Sequence, residues 1–164
     1  MRTYPEIRRA ESADIPELAR LVAAIAAYHE SIDERARYDW DSIRNASEWL
    51  KVVLARDHHA VWVADMGDGN LVGYLWLHLR RQRPGVLPRV AGYIDQAFIE
   101  AAWRGRGVMR PMLANAMAWF REKDINVITL GVLHRDWLGS AAWHKFGFED
   151  YNEERMLILK PSQK

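Results

Sequence analysis

The sequence predicts a mixed α/β fold, and three observations predict it. Segments with apolar residues at every second position alternate with segments where they recur every three or four. Gly67-Asp68-Gly69-Asn70 is a strong turn between two apolar runs, the mark of a hairpin. Met109, Met112, Leu113, Ala116, Met117 and Phe120 have the spacing of a helix that buries one face. A length of 164 residues and 49% hydrophobic content suit one compact domain spanning the chain.

Taken in order, Ile7 to Ala10 reads as a first strand, followed by a helix that Asp14 caps and that carries Ile15, Leu18, Leu21, Val22 and Ile25 on one face. Tyr28 to Asp41 is polar and reads as a loop or broken helix. A second helix is expected from about Ser42 to Arg56, with Trp49, Leu50 and Val53 inward. Ala60 to Asp65 and Leu71 to Leu79 are the hairpin strands. The segment from Arg80 to Arg89 reads as a surface loop, and Val90 to Ile99 as the next strand. After the long helix, Asn126 to Leu133 is expected to be a strand. Leu138 to Lys145 should be a short helix stopped by Gly147, and Arg155 to Leu159 a last strand.

Composition removes several classes of function. With no cysteine, disulfides, thiolate nucleophiles and Cys-rich zinc sites are excluded. No metal is expected. Lys plus Arg is 23 against 22 for Asp plus Glu, so a net charge of +1 provides no global field to attract nucleic acid or an anionic membrane. Neither is an expected partner. There is no apolar run long enough to cross a bilayer and no signal-peptide pattern, so a cytoplasmic location is expected. Eight tryptophans make self-association, as a homodimer, a reasonable expectation.

Arg104-Gly105-Arg106-Gly107 leads from a strand into the long helix. Such a turn points unpaired backbone N–H groups and the positive end of the helix dipole toward one place, where a pyrophosphate fits. Glycine lets the backbone approach an anion, and arginine adds charge-assisted contacts. The dinucleotide fingerprint Gly-x-Gly-x-x-Gly fails at Arg110, and the Gly-Lys-Ser/Thr ending of a P-loop is missing.

The run from Tyr93 through Ile99 to Trp103-Arg104-Gly105-Arg106-Gly107-Val108 resembles the signature of the GNAT superfamily of N-acetyltransferases. The family's loop reads Gln/Arg-x-x-Gly-x-Gly/Ala. Arg104 and Gly107 match it, and Met109 stands where Gly or Ala is usual. Downstream, Trp143-His144-Lys145-Phe146-Gly147-Phe148 resembles the family's segment ending in Gly-Phe. The resemblance covers nearly the whole chain in element order, with these two segments carrying the specificity. It implies a mixed, mostly antiparallel sheet flanked by helices, splayed between the strands at Val90–Ile99 and Asn126–Leu133. It implies acetyl-CoA as cosubstrate, held by the loop residues Arg104, Gly105, Arg106, Gly107, Val108 and Met109, with its pantetheine arm beside Phe98, Ile99 and Trp143.

The activity implied is transfer of an acetyl group to a primary amine, of a small molecule or peptide, by direct attack. That chemistry needs a base to take the ammonium proton and no covalent enzyme intermediate. Asp95 stands where family members often carry glutamate. His78 and His134 are the other candidates, and each of the three also reads as an ordinary surface group. The tyrosine that commonly serves as acid is replaced by Trp143, which cannot titrate, while Asp136 and Gly139 stand where Asn and Ala are usual. In the resembling family the connection between the first two helices helps build the acceptor site; here Glu30, Asp33, Glu34, Asp39 and Asp41 beside Tyr28, Tyr38 and Trp40 suit a cationic or aromatic amine, although Arg35, Arg37 and Arg44 dilute the acidity and the stretch also reads as a solvated loop of mixed charge. Two other functions fit parts of the sequence. One is a catalytically weak acyl-CoA-binding sensor, suggested by Trp143. The other is an interaction domain using Arg80, Arg81, Arg83 and Arg89.

Overall fold

Five strands lie side by side in chain order in the computed structural model, which describes residues 3–67 and 69–159. They are β1 (Glu6–Arg9), β2 (His59–Asp65), β3 (Leu71–Arg81), β4 (Val90–Ile99) and β5 (Ile128–Leu130). The first four pair antiparallel and β5 joins β4 in parallel, which gives the mixed, mostly antiparallel sheet expected. The helices are α1 (Ile15–Ile32), α2 (Trp40–Arg44), α3 (Ala46–Leu54), α4 (Met109–Glu122) and α5 (Trp137–Lys145). Among the described residues no helix is long and apolar enough to cross a membrane.

Strand alternation divides the interior into two clusters. Val61, Val63 and Tyr74 face α1 and α3 and pack on Leu18, Leu21, Val22 and Leu50. Trp62, Leu75, Leu77 and Ile94 face the other way and pack on Met112, Ala116 and Phe120 of α4. Each fully buried leucine contributes roughly 1.5–3 kcal/mol, so this two-sided burial holds β2 and β3 in place. α4 sits close because Gly92 has no side chain: a Cβ there would lie 2.5 Å from the Phe120 ring.

Five sequence expectations need correction. Asp14 occupies the N-cap of α1 without capping it. Its carboxylate instead takes two 2.7 Å hydrogen bonds from Arg8, whose Nε reaches Asp65 at 2.9 Å, tying β1 to α1 and β2. α1 continues to Ile32, through the stretch expected as a loop or broken helix from Tyr28. The single helix expected from Ser42 to Arg56 is two, broken at Asn45, whose backbone leaves the helical region. Most consequentially, Arg155–Leu159 is no strand: it is exposed and pairs with no neighbour among the described residues. A strand exists only against a partner, and among the described residues this run has none. The segment expected as a strand from Asn126 to Leu133 is correspondingly reduced to three residues.

Candidate active site

The site begins with a change of register. Trp76 of β3 pairs with Gln96, but its neighbour Leu77 pairs with Ile94, so Asp95 has no partner and forms a bulge. The extra residue reverses the alternation of β4. Phe98 and Gln96 lie on the α1 side opposite Tyr74 and Trp76, and Tyr93 returns to that side opposite His78. Ala97 and Ile94 turn toward α4.

The same place is where β4 and β5 part. They are paired only at Gly92–Ile94 with Ile128–Leu130. Beyond that point a cleft of about 280 Å³ opens, with Ile94–Ala97 on one wall and Leu130–Leu133 on the other. Asp95 stands in its wall, open to solvent on one side. Burial of its surroundings pushes its carboxyl above the usual range, and the charges of His78 and Arg80 offset part of that rise.

His29 and Tyr38 line this cleft as well and share a 2.6 Å hydrogen bond. Burial lowers the His29 pKa and raises that of Tyr38, so both are held neutral. Sequence reading missed His29, yet a signal was present: it continues the inward stripe of Leu18, Val22 and Ile25 at helical spacing. Asp136 also lines the cleft. Its carboxylate accepts from the Gly139 N–H, capping α5, and from the Tyr28 hydroxyl, each at 2.9 Å.

At the far end of β4 the chain turns through Gly105 and Gly107, with φ of 72° and 81°, a region that L-residues avoid. No side chain caps α4, and its first turn holds no acidic residue. Among the described residues the N–H groups of Gly105 to Met109 donate to nothing, which leaves an anion-binding turn. The Met109 side chain packs on the core, so at this position the backbone faces the turn. Val108 is buried beneath it. Arg104 is anchored by a 2.8 Å bond from Nε to the Ile99 carbonyl and lies over the rings of Tyr28 and Phe98 at 5.0 and 5.5 Å. Arg106 lies over Trp103 at 5.3 Å.

The structure thus brings Asp95 and Trp143 to one cleft. His78 sits behind it in the sheet, 5.2 Å from His59 and 5.4 Å from Tyr93 between ring centroids. His134 is exposed beside Trp137, outside the cleft lining. Trp143 packs edge-on against Phe146 and Phe148. The acidic residues between the first helices are largely engaged internally. Glu30 accepts from Trp40 and from the Tyr38 N–H, Asp33 pairs with Arg35, and Asp39 caps α2.

Residues 19–148 match the model of the acetyltransferase (GNAT) family. An aminoglycoside N(6')-acetyltransferase of Stenotrophomonas maltophilia is 27% identical over 157 residues, 95% of this chain and 92% of the relative. Two solved structures share the fold. The BH1408 protein of Bacillus halodurans, as a tetramutant, has a TM-score of 0.82 at 19% identity, over 94% of this chain and 99% of that one. A predicted acetyltransferase with acetyl-CoA from Clostridium acetobutylicum has 0.73 at 22%, over 93% and 95%.

Proposed function

The chain belongs to the acetyltransferase (GNAT) family, and we propose that it is a single-domain cytoplasmic enzyme that moves the acetyl group of acetyl-CoA to a primary amine in a ternary complex. The observation that carries this reading is the wedge between β4 and β5, with Asp95 raised on the bulge in its wall and the unpaired N–H groups of the glycine turn at the end of the same strand.

In this reading the turn from Arg104 to Met109 holds the pyrophosphate. The open edge of β4 beyond Ile94, including Phe98 and Ile99, takes the pantetheine arm, and Trp143 packs on it. Asp95 removes the ammonium proton directly or through a water. The neutral amine then attacks the thioester carbonyl, a C–N bond forms, the C–S bond breaks, and the proton released from nitrogen goes to the departing thiolate. A thiol pKa of about 8.5 lets that thiolate leave without a strong acid. Tyr38, neutral and hydrogen-bonded to His29, is the phenol that lines the cleft in place of one at Trp143.

The acceptor is a small-molecule or peptide amine. The carboxylates of Asp95 and Asp136 in the cleft favour a cationic one. The activity named for the Stenotrophomonas relative puts aminoglycosides at the head of the panel to be screened.

Acetyl-CoA is expected to raise the melting temperature, since a ligand that binds only the folded state stabilises it, and to release free thiol when a suitable amine is added. Gly107→Glu should abolish both effects, because it sets a carboxylate and a Cβ against the phosphates. Native affinity in a folded Gly107→Glu protein would remove the turn as the phosphate site. A thermal shift without thiol release from any amine would support the second reading that Trp143 motivates, an acyl-CoA-binding protein with little turnover.

A further inference from the structure

We propose that the Arg104 side chain, although it opens the glycine turn, serves the acceptor and not the pyrophosphate: through Tyr28 it fixes the carboxylate of Asp136, which selects acceptors by binding a second charged nitrogen while Asp95 serves the first. This selection rests on the function proposed above and narrows its acceptor to a diamine.

The Arg104 side chain is held away from the turn it begins. Its Nε donates to the Ile99 carbonyl at 2.8 Å, and its guanidinium lies over the rings of Tyr28 and Phe98. A guanidinium so anchored steadies the rings beneath it. One of those rings is Tyr28 of α1, whose hydroxyl donates to Asp136 at 2.9 Å. Burial raises the Tyr28 pKa, as do the bond to Asp136 and that residue's charge, with Arg104 opposing, so the phenol keeps its proton and stays the donor. Contacts thus run from the glycine turn, by way of α1, to the start of α5.

Asp136 stands there with one oxygen unused. Oδ1 accepts from the Tyr28 hydroxyl and from the Gly139 N–H, whereas Oδ2 accepts no hydrogen bond among the described residues. Capping α5 does not account for the charge, since asparagine caps a helix as well as aspartate does. Gly139 makes room for the acid: a Cβ there would lie 2.3 Å from Oδ2 and 2.8 Å from Cγ, so alanine would push the carboxylate aside. The residues that depart from the family pattern here, Asp136 for Asn and Gly139 for Ala, therefore form one feature.

Charge in the cleft points to the ligand. Asp95 and Asp136 are the charged residues of its lining, and neither Lys nor Arg stands with them. Burial lowers the His29 pKa, so that side chain is neutral. Arg135, next to Asp136 in sequence, pairs with Asp33 at 3.6 Å. Two carboxylates without a compensating cation favour a dication over a monocation. Asp95 takes the proton of the nitrogen that is acetylated, and the second nitrogen stays charged against Asp136 throughout.

Putrescine and butylamine differ by one amino group and test this directly. With acetyl-CoA saturating, kcat/KM for putrescine should exceed that for butylamine by about tenfold or more in the wild type; equal values would overturn the proposal. Asp136→Asn keeps an acceptor atom for Tyr28 and Gly139 but loses the charge, and the ratio should fall close to one, through the KM for putrescine and not through kcat. A retained ratio, with the loss falling on acetyl-CoA affinity instead, would give Asp136 to the cofactor and sink the idea. Gly139→Ala, Tyr28→Phe and Arg104→Ala should each lower the ratio about threefold or more, and the Tyr28→Phe, Arg104→Ala double variant no further, because the two act through one line of contacts. Additive losses, or an intact ratio in Arg104→Ala, would break the link from Arg104 to Asp136. Calorimetric binding of the two amines to the CoA-saturated protein needs no turnover. Tighter binding of putrescine that Asp136→Asn abolishes, without thiol release from any amine, would fault the proposed reaction and leave the selection standing. Thiol release with no preference between the amines would do the reverse.

Discussion

From β1 through α4 the chain holds itself, whereas from β5 onward it does not. All seven residues of β2 are buried, and Leu18, Leu21, Val63, Leu75 and Leu77 have no contact with solvent. After Ile125 no described residue is buried, and α5 contributes none to the core. The first region is sandwiched between helices on both faces of its sheet. The second lies beside the cleft, with Ile128, Leu130, Trp143, Phe146 and Phe148 only partly buried against the core. The cleft is therefore built from one densely packed, rigid wall, β4, and one thinly packed, more adaptable wall beyond Leu130. Rigid placement belongs to the proposed base, Asp95, and adaptability to Trp143 and the residues around it.

The largest expected effect tests the contrast directly. Leu75→Ala should cost about 2–5 kcal/mol in urea unfolding, since it leaves a cavity between packed layers. Leu138→Ala, on exposed α5, should stay within about 0.5 kcal/mol. Comparable losses at the two positions would erase the distinction between the regions.

Acid should loosen the first region by way of His59. Burial, together with the charges of His58, His78 and Arg56, lowers its pKa to about 4, and its Nδ1 accepts a 3.0 Å hydrogen bond from Trp76. The unfolded chain takes up this proton near pH 6.5 and the folded chain only near 4. Stability from this group is therefore complete above pH 6.5 and is lost as pH falls through that window, by about 3 kcal/mol in all. Unfolding measured across that range should show the slope, and His59→Gln should flatten it.

The rigid wall is tested chemically by Asp95→Asn, which should lower turnover by about 10²-fold with acetyl-CoA affinity nearly unchanged. Because the Asp95 pKa is raised, the wild-type rate should fall on acidification from a point above the ordinary carboxylate range, and the variant should lack that limb. A larger rate loss in His78→Gln or His134→Gln would move the base to that histidine. The adaptable wall is tested by Trp143→Ala, for which a fall of about tenfold in cofactor affinity is expected with turnover at saturation largely kept. The smallest effect belongs to Arg104→Ala, a fewfold loss of affinity, since the turn's N–H groups remain in place.

Local chemistry is what could be read without coordinates. The hairpin turn, the face of α4 and the glycine turn at Arg104–Gly107 depend on residues a few positions apart, and φ angles, helical spacing and the helix dipole act over that range. The bulge at Asp95 could not be read this way, because the offset is a property of two strands: it appears only when Trp76 and Leu77 meet Gln96 and Ile94. The pairing of His29 with Tyr38 and the raised pKa of Asp95 likewise depend on groups brought together from distant parts of the chain. Arg155–Leu159 shows the limit most clearly. Its composition is that of a strand, but a strand's backbone groups need a partner, and among the described residues the run finds none in its own chain.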